Sequence, residues 1–122
     1  MDVNISSASN CNLKNKINNH NAIVKDNSDT ADYKIIAIGA SAGGTKAIYT
    51  VLRSLPRNIP GIVIVQHIPP VFSRMFAERL NYTTDLDVKE AETGDYVDMG
   101  KVLIAPGDKH MIVVKGENKY KV

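Results

Sequence analysis

Ser41 and His67 are the residues whose types and settings point to nucleophilic chemistry in this sequence. Ser41 is the centre of Gly39-Ala40-Ser41-Ala42-Gly43, which fits G-x-S-x-G, the elbow that lifts a serine hydroxyl between a strand and a helix. A turn this sharp predicts a strained backbone at Ser41, with flanking glycines admitting neighbouring chain without a Cβ clash. Over the first turn of a following helix, unpaired amides and the helix dipole favour a developing oxyanion. The amide of Ala42, directly after the serine, is the natural donor. Two other readings stay open on the turn alone. Gly39-x-Ser41-x-x-Gly44 is a degraded G-x-G-x-x-G and reads as a phosphate-binding loop, and the segment also reads as a purely structural turn.

A serine hydroxyl is a weak nucleophile until a base takes its proton. His67 ends the apolar run Ile62-Val63-Ile64-Val65, in Gln66-His67-Ile68-Pro69-Pro70. By itself it reads as an ordinary strand-end histidine. In parallel sheets, however, catalytic groups gather beyond the carboxyl ends of strands. If the two apolar runs are neighbouring strands, Ser41 and His67 emerge on one edge. An acid to orient the histidine does not stand out. Asp85, Asp87, Asp95 and Asp98 lie in polar, turn-like segments, and Asp108 sits in ordinary Gly-Asp turn chemistry. His110 reads as a strand-start surface residue, and no metal-ligand spacing surrounds it.

The elements that must position this pair follow from periodicity. Ile35-Ile36-Ala37-Ile38 has the length and β-branched content of a buried strand. Ala47, Ile48, Val51, Leu52 and Leu55 then recur at helical spacing up to Pro56. The second continuous apolar run points to a strand buried on both faces, and the intervening length suits a right-handed crossover. A further helix is predicted to bury Phe72, Met75, Phe76 and Leu80. Beyond Asn81, Leu86–Lys89, Val102–Ala105, Met111–Val114 and Tyr120–Val122 read as a meander of short strands between glycine turns. The fold class is therefore α/β, a partial doubly wound parallel sheet opening with a βαβ unit and followed by that meander.

Residues 1–32 differ from the rest, being rich in Asn, Ser, Asp and Lys without sustained apolar period. They read as a disordered leader or linker in which Cys11 and His20 are incidental; the catalytic-type domain is assigned to 33–122. The 15 basic and 13 acidic residues are interleaved, which argues against a nucleic-acid stripe. No apolar run approaches membrane-spanning length, and no signal-peptide core is present. A lone cysteine excludes an internal disulfide, so a cytoplasmic location without metal or cofactor is expected.

Three blocks, IIAIGASAGGTKAI, IVIVQHIPPVFSRMFAERLN and VKEAETGDYVDMGKVLIAPGDKHM, closely resemble in order and spacing the catalytic domain of the bacterial chemotaxis protein-glutamate methylesterase. The likeness runs from about Lys34 to Val122. It implies a cytoplasmic serine hydrolase that cleaves glutamyl methyl esters on chemoreceptors, with glutamine deamidation in many members. The family's nucleophile falls on Ser41 and its histidine on His67; Ala42 stands where threonine is common. The resemblance also implies features beyond these residues: a receiver domain ahead of the catalytic domain, and a triad aspartate in a glycine-rich segment downstream of the matched region. A truncated catalytic domain, weak or inactive alone, is the resulting expectation. The alternatives are a non-catalytic module that binds receptors or a signalling partner, and a nucleotide-binding half-domain.

Overall fold

In the computed structural model, which describes residues 3–6 and 34–122, the chain runs β1 (Val3–Ser6), β2 (Ile35–Ala40), α1 (Gly44–Leu52), β3 (Gly61–Gln66), α2 (Pro70–Thr83), β4 (Asp87–Glu90), β5 (Lys101–Ile104), β6 (Met111–Lys115) and β7 (Tyr120–Lys121). The β-branched runs become neighbouring strands of one parallel sheet, ordered β2-β3-β5-β4. Every residue of β3 is buried, as a strand covered on both faces demands. Its side chains alternate between two cores. Ile62 and Ile64 join Ile48 and Leu52 of α1 and Ala77 and Leu80 of α2, while Val63 and Val65 face Leu103, Ala105, Met111 and Val113. Both helices thus pack on one face of the sheet.

The short strands after α2 divide between two sheets. A meander implies antiparallel neighbours, and β6 with β7 forms such a pair. By contrast, β4 and β5 lie parallel inside the main sheet. Residues 91–100 connect them, tied by backbone bonds to Ile59, Tyr120 and Val122 and by local side-chain bonds. The Asp95 carboxylate accepts from the Glu92 amide at 2.8 Å and pairs with Lys89 at 3.0 Å. Burial opposes its ionisation, but the Glu92 amide and the Lys89 ammonium outweigh that and hold the carboxyl below its ordinary range. This contact is present above the ordinary carboxylate range and is lost as pH falls through the lowered value.

Two expectations change. The buried stripe of α2 is Ser73, Ala77 and Leu80, whereas Phe72 is 54% and Met75 57% exposed. Small residues at 73 and 77 let the helix approach β4 closely, which rotates the bulky ones outward. Within the expected disordered leader, Val3–Ser6 forms β1, parallel to β6. The free edge of β6 offers backbone groups that a short extended segment can satisfy. The rest of that leader, with Cys11 and His20, lies outside the described residues. Among the described residues no helix is long and apolar enough to cross a membrane.

Candidate active site

The β2–β3 register pairs Ala40 with Gln66, so Ser41 and His67 are the next residues out on adjacent strands. The His67 amide donates to the Ala40 carbonyl at 3.1 Å, extending the ladder one step past β3. Both residues are exposed at the carboxyl edge of the sheet. The structure therefore brings Ser41 and His67 together by backbone pairing.

Between β2 and α1 the chain makes one tight turn. The Gly44 amide donates to the Ser41 carbonyl at 2.8 Å, and Gly43 has φ +74° and ψ −2°. Those angles belong to the third position of a type II turn, where glycine avoids the Cβ penalty. Ala42, exposed, sits before it. The strain expected at Ser41 is absent: among the described residues, positive φ outside glycine occurs only at Asp108. The left-handed step falls on Gly43 instead, leaving Ser41 an ordinary backbone. The motif's first glycine is likewise not sterically required, since a Cβ at Gly39 would meet nothing within 4 Å. Gly39→Ala is expected to leave the thermal midpoint essentially unchanged, within about 0.5 kcal/mol of stability; a loss of several degrees in a melting curve would contradict this.

Gly44 is the crowded glycine. A Cβ there would lie 2.1 Å from Gln66 Oε1 and 2.6 Å from the Ala40 Cβ. Gln66, only 3% exposed, turns its carboxamide under the N-terminus of α1. Its Nε2 donates to the Ser41 carbonyl at 2.9 Å and to the His67 carbonyl at 3.3 Å. The sequence reading assigned no role to Gln66, because a glutamine ending a strand carries no local signal.

Residues 36–122 match the family model for CheB methylesterase. The chain belongs to the CheB methylesterase family. It is 54% identical over 89 residues to the protein-glutamate methylesterase/protein-glutamine glutaminase of Syntrophotalea carbinolica, covering 73% of this chain and 25% of that protein. The Salmonella typhimurium protein of the same name is 53% identical over 89 residues, covering 26% of its length. The chain thus spans about a quarter of the length of these curated relatives. Among solved structures, the CheB methylesterase catalytic domain of Thermotoga maritima superposes with a TM-score of 0.69 at 44% identity, over 73% of this chain and 48% of that one.

In this CheB-type domain, a second buried contact supports the loop after His67. The Ser73 hydroxyl lies 2.7 Å from the Pro70 carbonyl and 2.5 Å from Glu90 Oε2, and it accepts the Gly107 amide at 3.0 Å. It joins α2, β4 and the Pro106-Gly107-Asp108 turn at one point. Ser73→Ala leaves the buried Gly107 amide and a carboxylate oxygen without this partner. A destabilisation of about 1–3 kcal/mol is expected in denaturant unfolding. Asp108 of that turn is exposed, with φ +59°, and among the described residues no carboxylate is hydrogen-bonded to His67. His110 is also exposed.

Proposed function

We propose that Ser41 and His67 are the nucleophile and general base of a protein-glutamate methylesterase acting on the cytoplasmic domains of methylated chemoreceptors in bacterial chemotaxis signalling. The reading rests on the register that sets these two residues side by side at the sheet's carboxyl edge. Family membership and the names of the relatives support the substrate class. A receptor-binding module without catalysis has no need of that juxtaposition and is not favoured.

The chemistry is acyl transfer. Ser41 Oγ attacks the ester carbonyl carbon while His67 accepts its proton, and the Ala42 amide helps hold the oxyanion. His67 returns the proton to the departing methoxide, giving methanol and a glutamyl ester on Ser41. Water, deprotonated by His67, then cleaves that ester to release the glutamate carboxyl and regenerate Ser41. With a glutamine side chain, the same route releases ammonia. General-base catalysis by the histidine is worth about 10²–10⁴-fold.

Acid quenching of the chain during incubation with methylated chemoreceptor, followed by digestion and mass spectrometry, tests the reading. A glutamyl adduct on the Ser41 peptide is the expected result. Methanol release without any adduct at Ser41 would reassign the nucleophile.

A further inference from the structure

Among the described residues, Gln66 is the one buried polar side chain that touches both halves of the proposed site. Its two N–H groups reach the Ser41 and His67 carbonyls at 2.9 and 3.3 Å, and it sits on the β3 position paired with Ala40. These two acceptors fix the amide's orientation, because a flipped carboxamide would set oxygen against two carbonyl oxygens. The fixed orientation has a consequence at the other end. Oε1 is fully buried and has no hydrogen-bond partner among the described residues. It rests instead against Gly44, at the place a Cβ would occupy.

An acceptor without a protein partner in the core is a cost to the fold, which the two bonds at the other end of the amide offset. A residue of similar length without polar atoms would fill the same space under α1. What it would lack is the bridge between the turn that carries Ser41 and the strand end that carries His67. Past the last β2–β3 bonds the two chains separate, one into α1 and the other toward α2, so ladder pairing no longer holds them. The bridge spans that point of divergence.

We propose that the Gln66 carboxamide is a positioning residue that sets the separation of Ser41 and His67, with Gly44 kept as glycine to admit it. The proposal rests on the esterase reading above. Gln66 acts through the two backbones and touches no reacting atom. Its loss therefore lowers the rate of proton transfer from Ser41 to His67 and leaves the affinity for a small reagent unchanged.

The test measures inactivation of the 122-residue chain by a small fluorophosphonate, with labelling localised to Ser41 and with kinact and KI determined separately. Gln66→Met and His67→Ala are made singly and together. Gln66→Glu, which keeps length and polarity but removes both donors, gives a second reading should the methionine variant not fold cooperatively. Expected results are a 10- to 100-fold lower kinact in Gln66→Met at unchanged KI, on the scale that small misalignments cost. In the His67→Ala background the same change should have no further effect, because a residue that aligns a base has nothing to align once the base is gone. Equal loss in both backgrounds, or a loss confined to KI, overturns the positioning role. Labelling that falls on a residue other than Ser41, or labelling indifferent to His67→Ala, overturns the esterase reading first. The two failures are thus read from different variants.

Discussion

Ser41→Ala is expected to bring methanol release from methylated chemoreceptor down to the rate of the ester without protein, while the melting curve stays where it was. The two halves of this expectation have separate causes. Ser41 is exposed, and among the described residues its hydroxyl makes no hydrogen bond, so removing it costs the fold little, within about 0.5 kcal/mol. In the proposed mechanism the hydroxyl is nevertheless the atom on which the acyl group is carried. Removing the histidine alone should cost nearly as much as removing the nucleophile, because residues that act as a unit are not additive. His67→Ala and the double variant should therefore fall to the same floor as Ser41→Ala. Methanol release assayed by gas chromatography, beside thermal melts of each variant, checks both halves. Release that survives in Ser41→Ala would show that the chemistry resides elsewhere.

Gly107→Ala is expected to damage stability and site geometry together. Gly107 is buried where the turn after β5 presses on the loop that follows His67. A Cβ there would lie 2.5 Å from the Ile68 carbonyl oxygen, 2.5 Å from the Pro70 nitrogen and 2.6 Å from the Pro69 carbonyl carbon. All three are backbone atoms, and two of the residues are prolines with fixed φ, so no side chain can swing aside. The loop itself must move, and Ile68 is directly bonded to His67. Overpacking of this kind costs about 1–3 kcal/mol or more. A displacement of the histidine by about 1 Å would cost about 10²-fold in rate. The Gly107 amide would also be drawn off the Ser73 hydroxyl, so the Ser73→Ala penalty should shrink in the Gly107→Ala background. Denaturant unfolding and the fluorophosphonate rate, measured on the same sample, check the two effects. An unchanged rate in a destabilised variant would separate the turn from the site.

Much of this molecule was legible in its residues. Two continuous β-branched runs, a glycine-rich turn and a helical stripe led to a parallel βαβ unit, since periodicity and turn chemistry are local properties. Ser41 and His67 followed from that unit, because parallel pairing puts the ends of both strands on one edge. Half of the stripe assigned to α2 held, since Leu80 is buried and Phe76 packs on the core, and the other half failed for a related reason. Periodicity locates an amphipathic helix, yet which side is buried depends on how closely its partner approaches. Ser73 and Ala77 face β4 and the core, while Phe72 and Met75 face outward.

The sequence by itself thus determined the elements from β2 onward, their order along the chain and the two residues that carry the proposed chemistry. Only the tertiary structure decided that β5 lies between β3 and β4, that Gly44 and Gly107 leave no room for a side chain beside the site, and that Gln66 ties the turn of Ser41 to the strand end of His67. Each of these joins residues far apart along the chain, from 14 positions between the β4 and β5 partners Asp87 and Lys101 to 40 between the β3 and β5 partners Ile62 and Val102. Contacts of that span arise from strand register and from layers packing together, and neither leaves a repeat or a composition signal in the residues that make them.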